Sequence, residues 1–421
     1  MKQILIYARA KLLLASLATL LLLPGESSGQ SGWVSQSSGT TNILLGVSFA
    51  DHNTGTAVGL FGTILRTTNG GATWTSLPGV TTTFVGVCFI NADTGTTVGE
   101  SGAILRTTDG GTTWVNQSSG TANALYGVSL VDANVGTAVG EHGTIIHTTN
   151  GGTTWTTQTS GTTSDLNGVF FYDSVTGTVV GGGGRILRTT NGGTVWSEQF
   201  SGSYAWDGVS LADANTGIVV GSSLDSSYVA RTTNGGTTWL LSSLGINNWS
   251  AVTFTDSTTA IAVGGTPTGN GRFCRTTNRG LSWTIGNIAA GSSFLGLSFT
   301  DTNTGTAVGL GGAIARTTTG GVTWIQENPG DKNTNAFALH QNYPNPFNAT
   351  TTISFSLPSH SFVSLEVVDI LGRPVATLIS EELPAGNHTR RWNLARLSSG
   401  IYCYRMKAGN FIETKKLVLL R

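Results

Sequence analysis

The chain has 421 residues and balances 22 Lys and Arg against 22 Asp and Glu, so no electrostatic argument favours a nucleic-acid partner or a polybasic membrane contact. Charged residues make up only 10%, against about 25% in an ordinary soluble domain, while Gly reaches 59, Trp 11 and Met 2; this excludes a helical bundle and a disordered chain. Cys88, Cys274 and Cys403 are scattered, odd in number and without metal-site spacing, so each reads as a buried free thiol and no metal or cofactor is implied.

Residues 1–29 begin with a basic stretch, Met1 to Lys11, continue through an apolar run from Leu12 to Leu23, and end in Pro24 and the small residues Ser27 to Gly29. This is the pattern of a cleaved secretory signal peptide, and its apolar run is well short of the roughly 20 residues of a membrane span. Nothing after residue 30 is long and apolar enough to span a bilayer, so the mature chain is expected to lack a transmembrane segment and to pass through the periplasm.

From residue 30 to residue 327 the chain repeats itself. Arg-Thr-Thr-Asn-Gly-Gly-x-Thr-Trp starts at Arg66 and returns from Arg106, His147, Arg188, Arg231, Arg275 and Arg316, with its tryptophans at 74, 114, 155, 196, 239, 283 and 324. Each period of about 41 residues holds four short apolar runs separated by Asn-Gly and Gly-Gly turns, which predicts four antiparallel strands and a β-propeller blade. Seven periods predict seven blades. Trp33 and Trp324 occupy equivalent positions, and the sequence leaves open which of the two closes the ring.

The turn fits the Asp-box pattern, as in Thr107, Asp109, Gly111 and Trp114; other copies carry Asn at the acidic position. Such a box folds a turn and does no chemistry. With Gly-Val-Ser-Phe, Asp-Ala-Asn-Thr-Gly and Ile-Leu-Arg-Thr-Thr-Asn-Gly-Gly around it, the repeat resembles the photosystem II stability/assembly factor family of seven-bladed propellers, and more loosely sialidase-type Asp-box (BNR) repeats. The resemblance implies a scaffold that binds other proteins; it carries no photosynthetic role with it, since fold does not fix function.

Two sets of residues are candidates for function. Arg66, Arg106, Arg188, Arg231, Arg275 and Arg316 share one repeat position next to the recurring turn acids Asp51, Asp132, Asp173, Asp213, Asp256 and Asp301. They either hold the blades through carboxylates and turn carbonyls, or form an arginine ring that docks an acidic partner. The acid turns resemble the start of a calcium loop but lack its distal Glu and read as plain turns.

On the opposite face the loops diverge, and those of blades five and six, Ser222 to Ala230 and Gly265 to Phe273, are longer. Trp206, Trp249 and Phe294 stand before the first strands of blades five to seven, and Tyr228 lies on the first long loop. Together they predict an aromatic groove for a protein or polysaccharide, the alternative being that the tryptophans fill the blade cores. Glu100, Glu141 and His142 lie on the same face and supply the acid/base groups that a glycoside hydrolase, the rival reading, would need.

Residues 328–338 read as a polar linker, and 339–421 as a small Ig-like β-sandwich of alternating strands. Asn342, Tyr343, Pro344, Asn345, Pro346 and Phe347, then Gly372, Gly400-Ile-Tyr402 and the basic pair Lys415 and Lys416, resemble the type A C-terminal sorting domain of the type IX secretion system. That resemblance implies engagement of outer-membrane secretion machinery and delivery to the outer cell surface or beyond. The reading as a whole is an all-β chain: a seven-bladed propeller that binds a protein or polysaccharide without catalysis, exported by its own tail. The charge divides accordingly, +2 in residues 1–30, −6 in 31–330 and +4 in 331–421.

Overall fold

The alternating apolar runs of each period become strands, and the Gly-rich breaks between them become turns, in a computed structural model of the protein. It describes residues 32–322 apart from 224–225, 246 and 289–290, and residues 337–419 apart from 343–344, 346, 349, 370–371, 394–396 and 410. The expected signal peptide, Trp324 and nearly all of the expected linker lie outside the described residues. The chain divides into two units, Met1–Trp324 and Ile325–Arg421.

The first unit is the seven-bladed propeller: seven four-stranded antiparallel sheets, with no α-helix among the described residues. In blade one the strands are Leu44–Phe49, Gly55–Gly59, Ile64–Thr67 and Thr75–Ser76. The second strands, such as Gly55–Gly59 and Gly136–Gly140, are buried along their whole length because both faces are covered by neighbouring blades. Blade seven takes its fourth strand from the other end of the chain. Gly32–Gln36 pairs antiparallel with Ile314–Gly321, placing Trp33 opposite Thr317, so the N-terminal strand closes the ring.

Apolar clusters lie between blades. Leu44, Ala57 and Leu65 of blade one pack with Val308 and Ile314 of blade seven. The Asp-box tryptophans meet the last residue of their own inner strand edge to face, as in Phe49–Trp74 and Phe171–Trp196 with centroids 5.9 Å apart, a geometry that adds about 0.5–1.5 kcal/mol beyond area burial. Polar stitches join the same seams: Ser48 Oγ accepts the Phe89 N–H at 2.9 Å, and Ser298 Oγ the Phe49 N–H at 2.9 Å.

The second unit is a β-sandwich. One sheet orders Ala338–Leu339, Thr350–Leu357 and Gly386–Asn393; the other orders Pro374–Leu383, Ser361–Val368, Gly400–Ala408 and Phe411–Leu419. Ile353, Phe355, Leu365, Val367, Tyr404, Met406 and Leu417 fill the space between them.

Candidate functional site

Every inner strand of the propeller carries the same irregularity near its start. In blade one the register slips between Leu44 and Gly46; the same slip falls between Phe84 and Gly86, Leu125 and Gly127, Leu166 and Gly168, Trp206 and Gly208, Trp249 and Ala251, and Phe294 and Gly296. Each slip is a β-bulge that leaves one residue out of the ladder and re-aims its side chain. Glycine follows in six of the seven blades, and Ala251 in blade six, because the inner strands nearly touch there. A Cβ on Gly46 would lie 2.6 Å from the Val85 carbonyl oxygen, and one on Gly296 would lie 2.9 Å from that of Leu45.

The seven bulged residues all line one cavity of about 250 Å³ on the propeller axis. Four form an apolar arc: Leu295, Leu45, Val85 and Tyr126 of blades seven, one, two and three. Three form a polar arc: Asn167, Asp207 and Ser250 of blades four, five and six. Among the described residues that line the cavity, Asp207 is the one carboxylate. Asn167 Nδ2 donates to the Trp206 carbonyl at 2.9 Å, tying the polar arc to the next blade. Burial, with the charges of Glu141 and Asp165 behind it, pushes the Tyr126 hydroxyl well above its ordinary pKa, so it stays protonated.

The wall above the polar arc is taller. Five blades turn from second to third strand through one 3₁₀ turn, as at Leu60–Gly62 and Glu141–Gly143. In blades five and six the strands run on instead, Gly217–Ser222 into Ser227–Thr232 and Ala260–Gly265 into Gly271–Thr276, so the extra residues extend hairpins.

The aromatic groove expected from the sequence is corrected by this geometry. Trp206, Trp249 and Phe294 are 0% exposed and belong to the cores between blades. They sit one position before the bulge and therefore point away from the cavity that the following residue lines. Tyr228 is half-buried against Tyr204, with centroids 4.7 Å apart, at the edge of one of these cores. Nothing in the sequence named the bulged residues; the signal is that this position changes between apolar and polar while a large apolar residue precedes it and Gly or Ala follows.

The acid/base candidates are occupied in turns. Glu141 accepts the Ala124 N–H at 2.9 Å and the Tyr126 hydroxyl at 3.1 Å, so both its oxygens brace its own blade. His142 is exposed at φ +53° and its N–H donates to Asp165 Oδ1 at 2.9 Å. Glu100 holds the equivalent half-buried position in blade two, where its N–H donates to the Thr83 carbonyl.

The arginines bridge blades through carbonyls. Arg66 Nε donates to Gly110 of blade two, Arg106 to Ala133 of blade three, Arg188 to Ala214 of blade five, Arg231 to Arg279 of blade six, and Arg316 to His52 of blade one. Arg275 lies against Gly320 of blade seven. Burial holds the pKa values of Arg106, Arg188 and Arg316 below the usual range. The acids beside them cap their own turns: Asp51 Oδ1 takes the N–H groups of Asn53 and Thr54, and Asp301 those of Asn303 and Thr304. Among the described residues no group of three or more His, Cys, Asp or Glu could hold a metal.

In the sandwich, the Asn-rich motif is fastened to the last strand. Asn342 is 2% exposed, donates its N–H to the Tyr404 hydroxyl at 2.8 Å and its amide to Thr351 Oγ1 at 2.9 Å. Asn345 Nδ2 donates to the Lys416 carbonyl at 3.1 Å and its Oδ1 accepts the Val418 N–H at 2.8 Å; the Phe347 N–H donates to the Val418 carbonyl at 3.0 Å. Lys415 pairs with Glu413 at 2.7 Å and Lys416 is exposed. Tyr343, Pro344 and Pro346 lie outside the described residues.

Comparison with known proteins follows the same division. Residues 26–116 and 76–161 match the family described as photosynthesis system II assembly factor YCF48, and residues 341–420 match the secretion system C-terminal sorting domain. Among solved structures, YCF48 bound to D1 peptide is similar at a TM-score of 0.58 and 19% identity, over 71% of this chain and 100% of that one. YCF48 from Cyanidioschyzon merolae is similar at 0.54 and 21%, over 68% and 98%. The WD40 repeats of RRP9 reach 0.58 at 11% identity, over 71% and 99%. At these identities the likeness is one of fold. No curated protein matches the sequence.

Proposed function

We propose that this chain, a YCF48-like, BNR-type seven-bladed propeller followed by a secretion-system C-terminal sorting domain, is an exported binding module that engages a protein or polysaccharide at the outer cell surface or beyond. The carrying observation is the pairing of a sorting tail with a propeller whose seven bulged residues, apolar in four blades and polar in three, all line the axial cavity. A scaffold copied seven times with a varied inner ring fits selection for recognition. A solved structure of YCF48 contains a D1 peptide, which supports protein as the ligand class. The match of the tail to the sorting domain supports passage through the periplasm and use of outer-membrane secretion machinery.

The rival reading, a glycoside hydrolase, needs two carboxyl groups about 5–10 Å apart across a cleft. The single carboxylate on the cavity and the two bonds of Glu141, to the Ala124 N–H and the Tyr126 hydroxyl, favour binding without catalysis. Two measurements test the proposal. Fusing residues 337–421 to a periplasmic reporter should move the reporter to the cell surface or the medium, and retention in the periplasm would defeat the export half. The purified full chain, probed on glycan arrays and by cross-linking on intact cells, should bind without releasing reducing sugar. Polysaccharide cleavage that is lost in Glu100→Gln or Glu141→Gln would establish the enzyme instead.

A further inference from the structure

We infer that the axial cavity takes a peptide segment presenting one basic side chain beside an apolar one; this rests on the binding-module reading and narrows its ligand. The argument is charge and shape complementarity. The polar arc offers the Asp207 carboxylate between the hydrogen-bonding side chains of Asn167 and Ser250, and the facing arc offers Leu45, Val85 and Leu295. A ligand satisfying both arcs carries a hydrogen-bond-donating cation on one side and hydrocarbon on the other. A cation near a carboxylate within low-dielectric walls is attracted far more strongly than at an open surface.

The rest of the unit has the same sign. Residues 31–330 hold nine Arg, no Lys and 15 acids, and five of the six repeat-position arginines already donate to carbonyls of the next blade. An acidic partner therefore finds no cation in the cavity. A sugar ring finds no platform either, because Trp206, Trp249 and Phe294 are fully buried and Tyr126 is only 6% exposed. A cavity of about 250 Å³ admits one or two side chains, which suits a loop or chain end inserted from above. The taller hairpins of blades five and six rise beside the polar arc and bring hydroxyls and an amide, Thr266, Thr268 and Asn270, to that rim.

The test uses the full-length protein and three end-blocked fluorescent peptides centred on Leu-Lys-Leu, Leu-Glu-Leu and Ser-Lys-Ser, read by polarisation. Leu-Lys-Leu should bind at least about tenfold more tightly than either control. Asp207→Asn, which preserves shape, should erase the preference for Lys over norleucine at the central position. Leu45→Ser with Leu295→Ser should weaken Leu-Lys-Leu while leaving Ser-Lys-Ser unchanged. Equal binding of the Lys and Glu peptides by the unaltered protein overturns the inference with no variant involved, as does an Asp207→Asn protein that keeps its Lys preference. If no peptide binds yet the protein still captures a glycan or a cell-surface target, the cavity inference fails and the binding-module reading stands. Polysaccharide cleavage would remove both.

Discussion

Gln36, Gln117 and Gln158 each perform a double task at the seam ahead of them. Each amide donates to a carbonyl in the next blade's Asp box, Gly70, Gly151 or Gly192, at 2.8–3.0 Å, while its oxygen accepts the indole N–H of Trp74, Trp155 or Trp196 at 3.1–3.3 Å. At the same position blade five carries Ser242, and the Trp283 indole N–H that it should serve is buried without a partner. Ser242→Gln should therefore raise the propeller's unfolding free energy by about 1 kcal/mol in a urea titration, and Gln117→Ala should lower it by about 1–2 kcal/mol because a buried donor is orphaned. The turn acids act at the same scale. Hydrogen bonds from Thr113, side chain then backbone, and from Thr107 hold the Asp109 carboxyl at about 2. Backbone bonds, that of Asn53 foremost, hold Asp51 below its usual value against the desolvation that would raise it. A carboxylate with a depressed folded pKa contributes stability that is complete above its unfolded value and lost as pH falls through the folded one. Unfolding free energy should accordingly stay level down to about pH 4 and fall between about pH 4 and pH 2. Asp109→Asn, which reproduces the Asn69 version of the box, should reduce that fall.

At the scale of the strand, the repeat period, the four-strand blades and the tail sandwich were legible because each depends on patterning and turn chemistry that recur in the sequence. The arginines were legible as a repeat position, but their partners were not, since a guanidinium reaching a carbonyl in the next blade leaves no mark on its own period. The cavity ring was missed by one residue. Trp206, Trp249 and Phe294 were the conspicuous side chains, and only the register slip shows that the residue after each of them faces the axis. A bulge costs the sequence nothing that alternation would reveal. Ring closure, left open by the twin positions of Trp33 and Trp324, is settled by the pairing of Gly32–Gln36 with Ile314–Gly321. Trp33 is 3% exposed in that strand, so Trp33→Ala should cost about 3–5 kcal/mol and broaden the thermal transition as blade seven loses its outer strand. In the sandwich, Phe347→Ala empties a 3% exposed site beside the last strand; it should cost a similar amount and reduce the exported fraction of a reporter fusion.

For the whole molecule, neutrality is a cancellation. Residues 1–30, the expected leader, at +2, a propeller of −6 and a tail of +4 sum to zero, and the full sequence has a pI near 7.0. Loss of leader and tail during export would leave a lysine-free, acidic propeller. Isoelectric focusing of the exported product should give a pI well below 7, and a product still near neutrality would show that the tail had been retained. The described residues contain no helix long and apolar enough to cross a membrane. The bulge that opens every inner strand carries one consequence further. A residue outside the ladder takes no part in the backbone pairing of its strand, so replacing it leaves the register of the blade in place. The axial positions can thus be rewritten like letters set in a fixed frame, Tyr126 and Asn167 excepted because their side chains bond Glu141 and the Trp206 carbonyl, and a library randomised at the other five should yield folded proteins with altered ligands.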